Sequence, residues 1–444
     1  MIDTARLLEE PACEHSKSHN KACERPSGGE SCAFDGAYIV LNPIRDAAHL
    51  IHGPIACCGN SYEGRGSLSS GSRLYRYGFT TDMNEIDIVF GSEPRLLRAI
   101  SHIAQQYNPS AIFVYSTCIP ALTGEDVIAA CKKGKAKTGI PVIPVIAPGF
   151  SGRKNLGNRL AGEALLDYVV GTGKPDKILS SSPAINIIGE YNIAGEGWDI
   201  VALFEKIGIR VLSKITGDAD FKEITYAHYA QLNLLVCGRA MINLARGMEE
   251  RYNIPFKEVS FYGMDNTSQA LRAVAQSFKD KKLIERTEQV IQEEEASTKK
   301  TLAPYLSRLK GKRAVLYTGG VKSWSYISAL TDLGIEITAV GAKKSSLSDI
   351  EKMKNLVGED RILKKLSPKI LLETIKSTKA DILVAGGRNQ YLAYKEKIPF
   401  IDVNQEKHTP YAAYRGLVKM AQDIVKTIYS PVWQVAKKEA PWKQ

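Results

Sequence analysis

The stretch from residue 111 to residue 147 decides the fold class. It opens on the apolar run Ala111-Ile-Phe-Val-Tyr-Ser-Thr and closes on Pro141-Val-Ile-Pro-Val-Ile-Ala, with a helical pattern from Glu125 to Lys137 between them. Short runs rich in β-branched and aromatic residues predict buried strands, and a helix that joins two such strands makes them parallel neighbours. The stretch therefore predicts a βαβ unit.

Two further sets of elements repeat this pattern. The second set has strands at Ile185-Asn-Ile-Ile-Gly and Ile209-Arg-Val-Leu-Ser, and a long helix is predicted from about Leu232 to Tyr252. The third set runs from Arg313-Ala-Val-Leu-Tyr-Thr-Gly-Gly to Asp381-Ile-Leu-Val-Ala-Gly-Gly. We predict an α/β protein with three successive units of parallel sheet flanked by helices. In such sheets ligands bind beyond the carboxyl ends of the strands.

The chain divides into four predicted regions. Residues 1–36 form a turn-rich, cysteine-containing arm that lacks any periodicity. Residues 37–183 form the first α/β domain and residues 184–310 the second, which ends in a charged helix from Lys281 to Lys310. Residues 311–444 form a third, basic α/β domain with a C-terminal tail.

Composition excludes several classes of protein. The chain has 444 residues, of which 44% are hydrophobic and 24% charged, as in ordinary globular domains. No apolar run approaches the roughly 18–20 residues that span a bilayer, and the first ten residues lack the apolar core of a signal peptide. We therefore expect a soluble, cytoplasmic protein whose eight cysteines are reduced thiols or metal ligands rather than disulfides.

Positive charge is concentrated in the last third of the chain. The net charge is +11, and from Gly311 onward 23 Lys and Arg residues face 13 Asp and Glu residues. A solvated lysine-rich surface is the favoured interpretation, and no zinc finger or RNA-binding signature supports a nucleic-acid site. A third interpretation is contact with a small, highly charged anion. Charge alone does not choose between them.

Nucleotide-binding motifs are absent from the sequence. Gly319-Gly320 and Gly386-Gly387 each follow a predicted strand, but neither completes the G-x-G-x-x-G dinucleotide fingerprint. The chain also lacks a G-x-x-x-x-G-K-[ST] phosphate loop. These glycines are interpreted as tight turns between strand and helix.

Three cysteines are predicted on loops at the ends of strands or of the arm, namely Cys32, Cys57 and Cys118. None belongs to a C-x-x-C pair, so neither a zinc knuckle nor a bacterial-ferredoxin run applies. Soft thiolates drawn singly from separate loops nevertheless suit an iron–sulfur core. Cys237 differs because it lies inside the predicted helix, where a buried structural thiol is the ordinary interpretation.

Several long motifs resemble the nitrogenase component 1 superfamily. They are Ala48-His-Leu-Ile-His-Gly-Pro-Ile-Ala-Cys57, Arg65-Gly-Ser-Leu-Ser-Ser-Gly71, the stretch Gly78–Gly91 and the stretch Val114–Asp126. Four more stretches resemble the E-type subunits of the scaffolds that assemble the iron–molybdenum cofactor: Asn155–Glu163, Ile188–Glu196, Tyr317–Ser325 and Ala385–Asn389. The resemblance covers nearly the whole chain.

The resemblance implies three Rossmann-like domains and an α2β2 heterotetramer with a homologous N subunit. It implies that Cys32, Cys57 and Cys118 hold a [4Fe–4S] cluster at the subunit interface, completed by a ligand from the partner. It further implies that Cys237 anchors an iron–sulfur precursor of the cofactor while molybdenum and homocitrate are inserted. Cys58 is interpreted as a packed thiol and Cys131 as a core residue, while Cys13 and Cys23 receive no role.

Departures from the catalytic members favour a scaffold over an enzyme with its own turnover. Where the catalytic α subunit has a histidine that ligates molybdenum, this chain has Asn404, and an amide is a poorer metal ligand than imidazole. Lys154 and Asn158 stand where catalytic members have glutamine and histidine. His408, four residues beyond Asn404, is interpreted as a surface histidine. The alternative is a reductase of the same superfamily, either a nitrogenase α chain or a protochlorophyllide-reductase-like enzyme.

The resemblance also predicts the residues around the bound precursor and the partner proteins. Arg65, Lys154, Lys322 and Arg388 lie at loop ends where they retain an anionic cluster and a tricarboxylate through charge-assisted hydrogen bonds. The implied partners are the N subunit, the nitrogenase iron protein, a cluster-donating assembly protein and apo-nitrogenase as the acceptor. Neither nucleic acid nor membrane is expected as a partner.

Overall fold

Three parallel β-sheets organise the protein. The computed structural model describes residues 31–62, 66–175, 183–236, 238–318, 321–342, 345–363, 367–404, 406–436 and 438. Each sheet is flanked by helices, as the sequence predicts for an α/β protein. Within these ranges no helix is both long enough and apolar enough to cross a membrane.

The first sheet has four strands. They are β1 (Ala47–His52), β2 (Phe79–Thr80), β3 (Ala111–Ser116) and β4 (Val142–Ile146), in the order β2-β1-β3-β4. The helices of this region are α1 (Ala33–Leu41), α2 (Ile55–Tyr62), α3 (Glu85–Phe90), α4 (Glu93–Tyr107), α5 (Cys118–Leu122), α6 (Val127–Thr138) and α7 (Lys154–Tyr168). Strands β1 and β3 are buried along their whole length. Burial on both faces explains the apolar run at the start of β3, whereas β1 carries the buried histidines His49 and His52.

The second sheet also has four strands. They are β5 (Ala184–Glu190), β6 (Arg210–Thr216), β7 (Leu232–Leu235) and β8 (Phe256–Glu258), in the order β6-β5-β7-β8. Its helices are α8 (Glu196–Ile207), α9 (Phe221–Thr225), α10 (Gly238–Tyr252), α11 (Met264–Ser277) and α12 (Lys281–Leu309).

The third sheet has five strands. They are β9 (Arg313–Tyr317), β10 (Glu336–Gly341), β11 (Ile362–Leu363), β12 (Ile382–Ala385) and β13 (Phe400–Asp402), in the order β11-β10-β9-β12-β13. Its helices are α13 (Val321–Asp332), α14 (Leu347–Val357), α15 (Pro368–Ser377), α16 (Gln390–Lys395), α17 (Ala413–Ile428) and α18 (Val432–Ala436).

One predicted helix is wrong at its N-terminal end. The segment predicted as helix from about Leu232 instead begins with strand β7, which pairs in parallel with β5 and β8, and α10 starts only at Gly238. A run of four buried residues is too short for periodicity to distinguish a strand from a helix.

The hydrophobic cores cross the borders between sheets. One apolar cluster joins the second and third sheets, with α17 packed against α12 and α8, and another joins the first and second sheets. Each sheet lies within one of the predicted ranges 37–183, 184–310 and 311–444, while α1 begins at Ala33, inside the predicted arm 1–36. The domain boundaries themselves stay a prediction, because shared cores do not mark where one domain ends.

Candidate functional site

Three cysteines converge beyond the carboxyl edge of the first sheet. Cys57 lies in α2, which follows β1, Cys118 is the first residue of α5, which follows β3, and Cys32 caps the N-terminus of α1. A Cβ atom built on Gly149 would lie 3.1 Å from the Sγ atoms of both Cys32 and Cys118. The two sulfurs therefore lie within twice that distance of each other.

The Cys57 thiol belongs to the same group. Burial raises the pKa of Cys57, and the nearby thiols of Cys118, Cys32 and Cys58 raise it further. The sequence predicted all three cysteines on loops, but Cys57 and Cys118 lie in short helices of eight and five residues. Helices of one or two turns leave too little periodicity for the sequence to indicate them.

The donor set is made of thiols, which are the soft ligands of iron–sulfur cores. No group of three or more His, Cys, Asp or Glu side chains in the described ranges is arranged to hold one metal ion. A cluster spreads its ligands over several iron atoms, so its thiolates stand farther apart than those around one ion. Gly149, which the sequence analysis missed, leaves open the space between Cys32 and Cys118 that any side chain would enter.

Backbone pairing joins Cys32 to the start of α7. Ala33 N donates to Gly152 O at 2.9 Å, and Lys154 N donates to Ser31 O at 3.0 Å, so Cys32 and Arg153 form an antiparallel bridge. Helices α1 and α7 also cross closely. A Cβ atom on Gly157 of α7 would overlap the carbonyl oxygen of Ala33 in α1. Lys154, a predicted cofactor-binding residue, is thereby fixed beside the cysteine group.

Two predicted residues meet at the carboxyl edge of the third sheet. Lys322 Nζ donates a 3.1 Å hydrogen bond to Asn404 Oδ1, and a Cβ atom on Gly386 would lie 3.1 Å from Asn404 Nδ2. Arg388 is exposed in the turn Gly387–Asn389 that follows β12. His408 is exposed, as predicted.

A buried ion pair lies between the second and third sheets. Lys407 contacts the Glu196 carboxylate, and their side chains are only 2% and 1% exposed. Burial opposes ionisation of Glu196, but the charge and hydrogen bond of Lys407 outweigh it and lower the Glu196 pKa. Burial and the charge of Glu196 raise the pKa of Glu190 to about 7, against the attraction of Lys407 and Lys322. No role is predicted from the sequence for Glu190, Glu196 or Lys407.

The remaining predicted residues divide into two groups. Asn158 is buried on α7, and the thiols of Cys58 and Cys131 are buried, with burial raising the pKa of Cys131 to about 12. The other group lies outside the described residues and consists of Arg65, Cys237, Cys13 and Cys23. The described residues on either side of Cys237 are the end of the segment after β7 and the first residue of α10.

Comparison with known proteins supplies the family. Residues 32–429 match the family model described as nitrogenase component 1 type oxidoreductase. The chain belongs to the nitrogenase component 1 family. A solved structure titled "Nitrogenase Cp1 at pH 5" superposes with a TM-score of 0.85 at 30% identity, covering 96% of this chain and 94% of that one. This match confirms the α/β fold of parallel sheets flanked by helices.

Relatives with higher identity within the family carry a more specific name. The nitrogenase iron-molybdenum cofactor biosynthesis protein NifE of Nostoc sp. is 56% identical over 99% of this chain and 93% of its own length. The protein of the same name from Rippkaea orientalis is 54% identical over 98% and 94%, and that from Klebsiella pneumoniae 46% over 98% and 98%. The predicted resemblance to the cofactor-assembly branch of the family is confirmed.

Proposed function

We propose that this protein is a scaffold subunit in the biosynthesis of the nitrogenase iron–molybdenum cofactor. It binds an iron–sulfur precursor, holds it while molybdenum and homocitrate are inserted, and passes the product to apo-nitrogenase. The observation that carries the proposal is the Lys322–Asn404 hydrogen bond, which occupies the amide at the position where the resemblance places a metal-binding histidine in the catalytic members. The names of the most similar relatives support the same role.

The iron–sulfur precursor is the cargo, and its proposed site consists of Cys237 and four cationic residues. The thiolate of Cys237 anchors it, while Arg65, Lys154, Lys322 and Arg388 surround it with positive charge. Cationic side chains form charge-assisted hydrogen bonds to carboxylates and sulfide-rich anions, and these bonds reform easily in water. One covalent anchor with a shell of exchangeable ionic contacts retains the cargo and still allows its release.

A resident [4Fe–4S] cluster is assigned to the thiolates of Cys32, Cys57 and Cys118. Three thiolates of this chain account for three of the four iron atoms, which leaves the fourth for a ligand from a partner subunit. When bound, the cluster supplies one-electron transfer. Support comes from the convergence of the three cysteines around the space that Gly149 leaves open.

Exposed apolar side chains lie on the helices that carry Cys57 and Cys118, and on helix α3. Ile55 on α2 is 60% exposed and Leu122 on α5 is 72% exposed. Helix α3 adds Ile86, Val89 and Phe90, all more than half exposed. A concentrated apolar surface of this kind is typical of a protein–protein contact. We assign it to the homologous N subunit of an α2β2 tetramer and to the nitrogenase iron protein, with a cluster-donating protein and apo-nitrogenase as transient partners.

Metal analysis of the anaerobically purified complex tests this proposal. After loading with the iron–sulfur precursor, we expect the parent protein to hold more iron than its Cys237→Ala variant, with the interface cluster retained in both. Cys131→Ala removes a thiol that is buried on α6 in a different apolar cluster from the one against which Cys32 and Cys57 pack, and serves as the control. Equal iron in the parent and Cys237→Ala proteins would contradict the cargo site.

A further inference from the structure

A buried hydrogen-bond network lies behind two of the cysteines. His52, the last residue of β1, is fully buried, and its Nε2 lies 2.9 Å from Glu125 Oε2 and 3.0 Å from Ser92 Oγ. Its Nδ1 lies 3.1 Å from Thr81 Oγ1. Ser92 N donates to Glu125 Oε1 at 2.9 Å, so the carboxylate also accepts a bond from the N-terminus of α4.

The partners of His52 determine which of its nitrogens carries the proton. A carboxylate only accepts hydrogen bonds, so Nε2 carries the proton towards Glu125 and Nδ1 accepts from the Thr81 hydroxyl. Burial lowers the pKa of His52 despite the opposing effect of Glu125, which keeps the ring neutral at neutral pH. The other charged residue that acts on the ring is Asp87 on α3, which is itself paired with Arg95.

This network fixes Cys118 from both sides. Before Cys118, Thr117 donates to the carbonyl oxygen of His52 through its N at 3.2 Å and its Oγ1 at 2.9 Å. After Cys118, Glu125 N donates to Pro120 O at 3.0 Å, and the Glu125 carboxylate binds the His52 ring. The backbone and the ring of one residue therefore hold both ends of the α5 segment.

The same residue fixes the approach to Cys57. Gly53 N donates to Thr81 Oγ1, the hydroxyl that binds the His52 ring, and Cys57 N donates to Pro54 O at 3.1 Å. A Cβ atom on Gly53 would lie only 2.0 Å from Thr117 Oγ1, so the two cysteine-bearing segments are in direct contact at this glycine. The segments that carry Cys57 and Cys118 therefore share hydrogen-bond partners with His52.

We infer that His52 is a positioning residue for Cys57 and Cys118, and that the Glu125 carboxylate bound to it lowers the reduction potential of the cluster these cysteines hold. The inference rests on the proposed interface cluster. Reduction adds negative charge to the cluster, and a fixed carboxylate in a low-dielectric surrounding opposes that addition. The Glu125 side chain is 14% exposed, so water and salt screen this effect less than they screen the charge of a fully exposed carboxylate.

Two substitutions at His52 test whether the hydrogen bond from the place of Nε2 positions the cysteines. The Gln side chain reaches the place of Nε2 and can still donate to Glu125, whereas Asn reaches only the place of Nδ1. We expect His52→Gln to keep the iron content and the electron paramagnetic resonance spectrum of the reduced cluster, and His52→Asn to lose at least half of that signal. His49→Gln is the control, because His49 is equally buried on the same strand but binds Tyr115. It should lower thermal stability without changing the spectrum.

Glu125→Gln tests whether the negative charge of Glu125 lowers the reduction potential of the cluster. The amide oxygen can still accept from Ser92, so we expect unchanged iron content and a more positive midpoint potential, measured by redox titration of the purified complex. An unchanged potential, or a His52→Asn protein with the iron and spectrum of the parent, would overturn the inference. This titration does not depend on whether His52→Asn folds. A parent protein with no cluster would overturn the proposed function and this inference together.

Discussion

Lys322 Nζ and Asn404 Oδ1 are joined by a 3.1 Å hydrogen bond that spans the carboxyl edge of the third sheet. Lys322 lies in the first turn of α13, after β9, and Asn404 follows β13, with β12 between the two strands. The Asn404 amide, at the position where the resemblance places a metal-binding histidine in the catalytic members, is bound to an ammonium group. In the proposed function, this pair holds an anion without a second covalent anchor.

Asn404→His tests that arrangement directly. The introduced imidazole can bind a metal and add a second anchor, so we expect release of the finished cofactor to slow about tenfold, equivalent to about 1.4 kcal/mol. Loading of the precursor should change little, because Cys237 still provides the first anchor. The rate at which the loaded protein activates cofactor-free nitrogenase measures the effect. His408→Asn, at an exposed histidine nearby, is the control. Transfer by Asn404→His at the parent rate would exclude the missing ligand as the cause of release.

Single replacements of Cys32, Cys57 or Cys118 by Ala should each remove about one [4Fe–4S] cluster per pair of subunits. Loss of one thiolate leaves an iron without its protein ligand, and cluster binding contributes to assembly of the folded site. Iron analysis and electron paramagnetic resonance of the three variants provide the measurement. Cys58→Ala, beside Cys57 but packed in the core, should keep the cluster. Three variants with the parent signal would refute the ligand assignment.

Gly149→Ala should reduce cluster occupancy because the added methyl group fills space that the cluster needs. The added methyl group would lie 3.1 Å from the sulfurs of Cys32 and Cys118, in the space proposed for the cluster. Overpacking of this kind costs about 1–3 kcal/mol. Iron content per complex is the measurement, and Gly59→Ala is the matched control, because a Cβ atom there has no neighbour within 4 Å. Full iron content in Gly149→Ala would place the cluster elsewhere.

Glu190→Gln should change how stability depends on pH. Burial and the charge of Glu196 raise the pKa of Glu190 to about 7, above the value of about 4.3 for an unfolded chain. The folded protein thus binds an extra proton between these values, and stability falls as pH rises through this window. Gln keeps the oxygen that accepts from Asn192 N but removes the titration.

Denaturant unfolding of both proteins at about pH 5 and about pH 8 checks this sign. The free energy of unfolding of the Gln variant, relative to the parent, should increase towards the higher pH. Glu205→Gln, at an exposed position on α8, should show no such trend. A relative stability that decreases with pH would mean that Glu190 is stabilised as a carboxylate.

Much of the fold could be predicted from local patterns, but the pairing that brings two of the cysteines together could not. The parallel register pairs His52 at the end of β1 with Ser116 at the end of β3, so the segments that follow, with Cys57 and Cys118, begin side by side. The predicted βαβ unit covers β3 and β4, whereas β1, with the sequence Ala-Ala-His-Leu-Ile-His, is not predicted as a strand. The adjacency of β1 and β3 is therefore a finding of the structure, and the two histidines of β1 are why the pattern of apolar residues does not indicate the strand.

The contacts that the sequence did not indicate are those between distant elements. Glu196 begins α8 beside the second sheet, whereas Lys407 follows β13 of the third sheet. Nothing in the residues around Lys407 distinguishes it from the many lysines of the basic third. Helix α12 shows the same limit, because its sequence is dominated by Glu and Lys although Leu283, Ile291 and Leu302 are buried. Burial of this kind is decided by the helices that pack against it, which periodicity alone does not identify.

Transfer of labelled metal from this protein to nitrogenase distinguishes a scaffold from a reductase. The complex is loaded with isotopically labelled iron and molybdenum in the presence of homocitrate, freed of unbound metal and mixed with cofactor-free nitrogenase. For a scaffold, we expect labelled molybdenum and cofactor iron to leave this protein in proportion to the activity that the acceptor gains, while the interface cluster stays behind. If the label stays on this protein and the loaded complex itself reduces nitrogenase substrates, it is a reductase and not a scaffold.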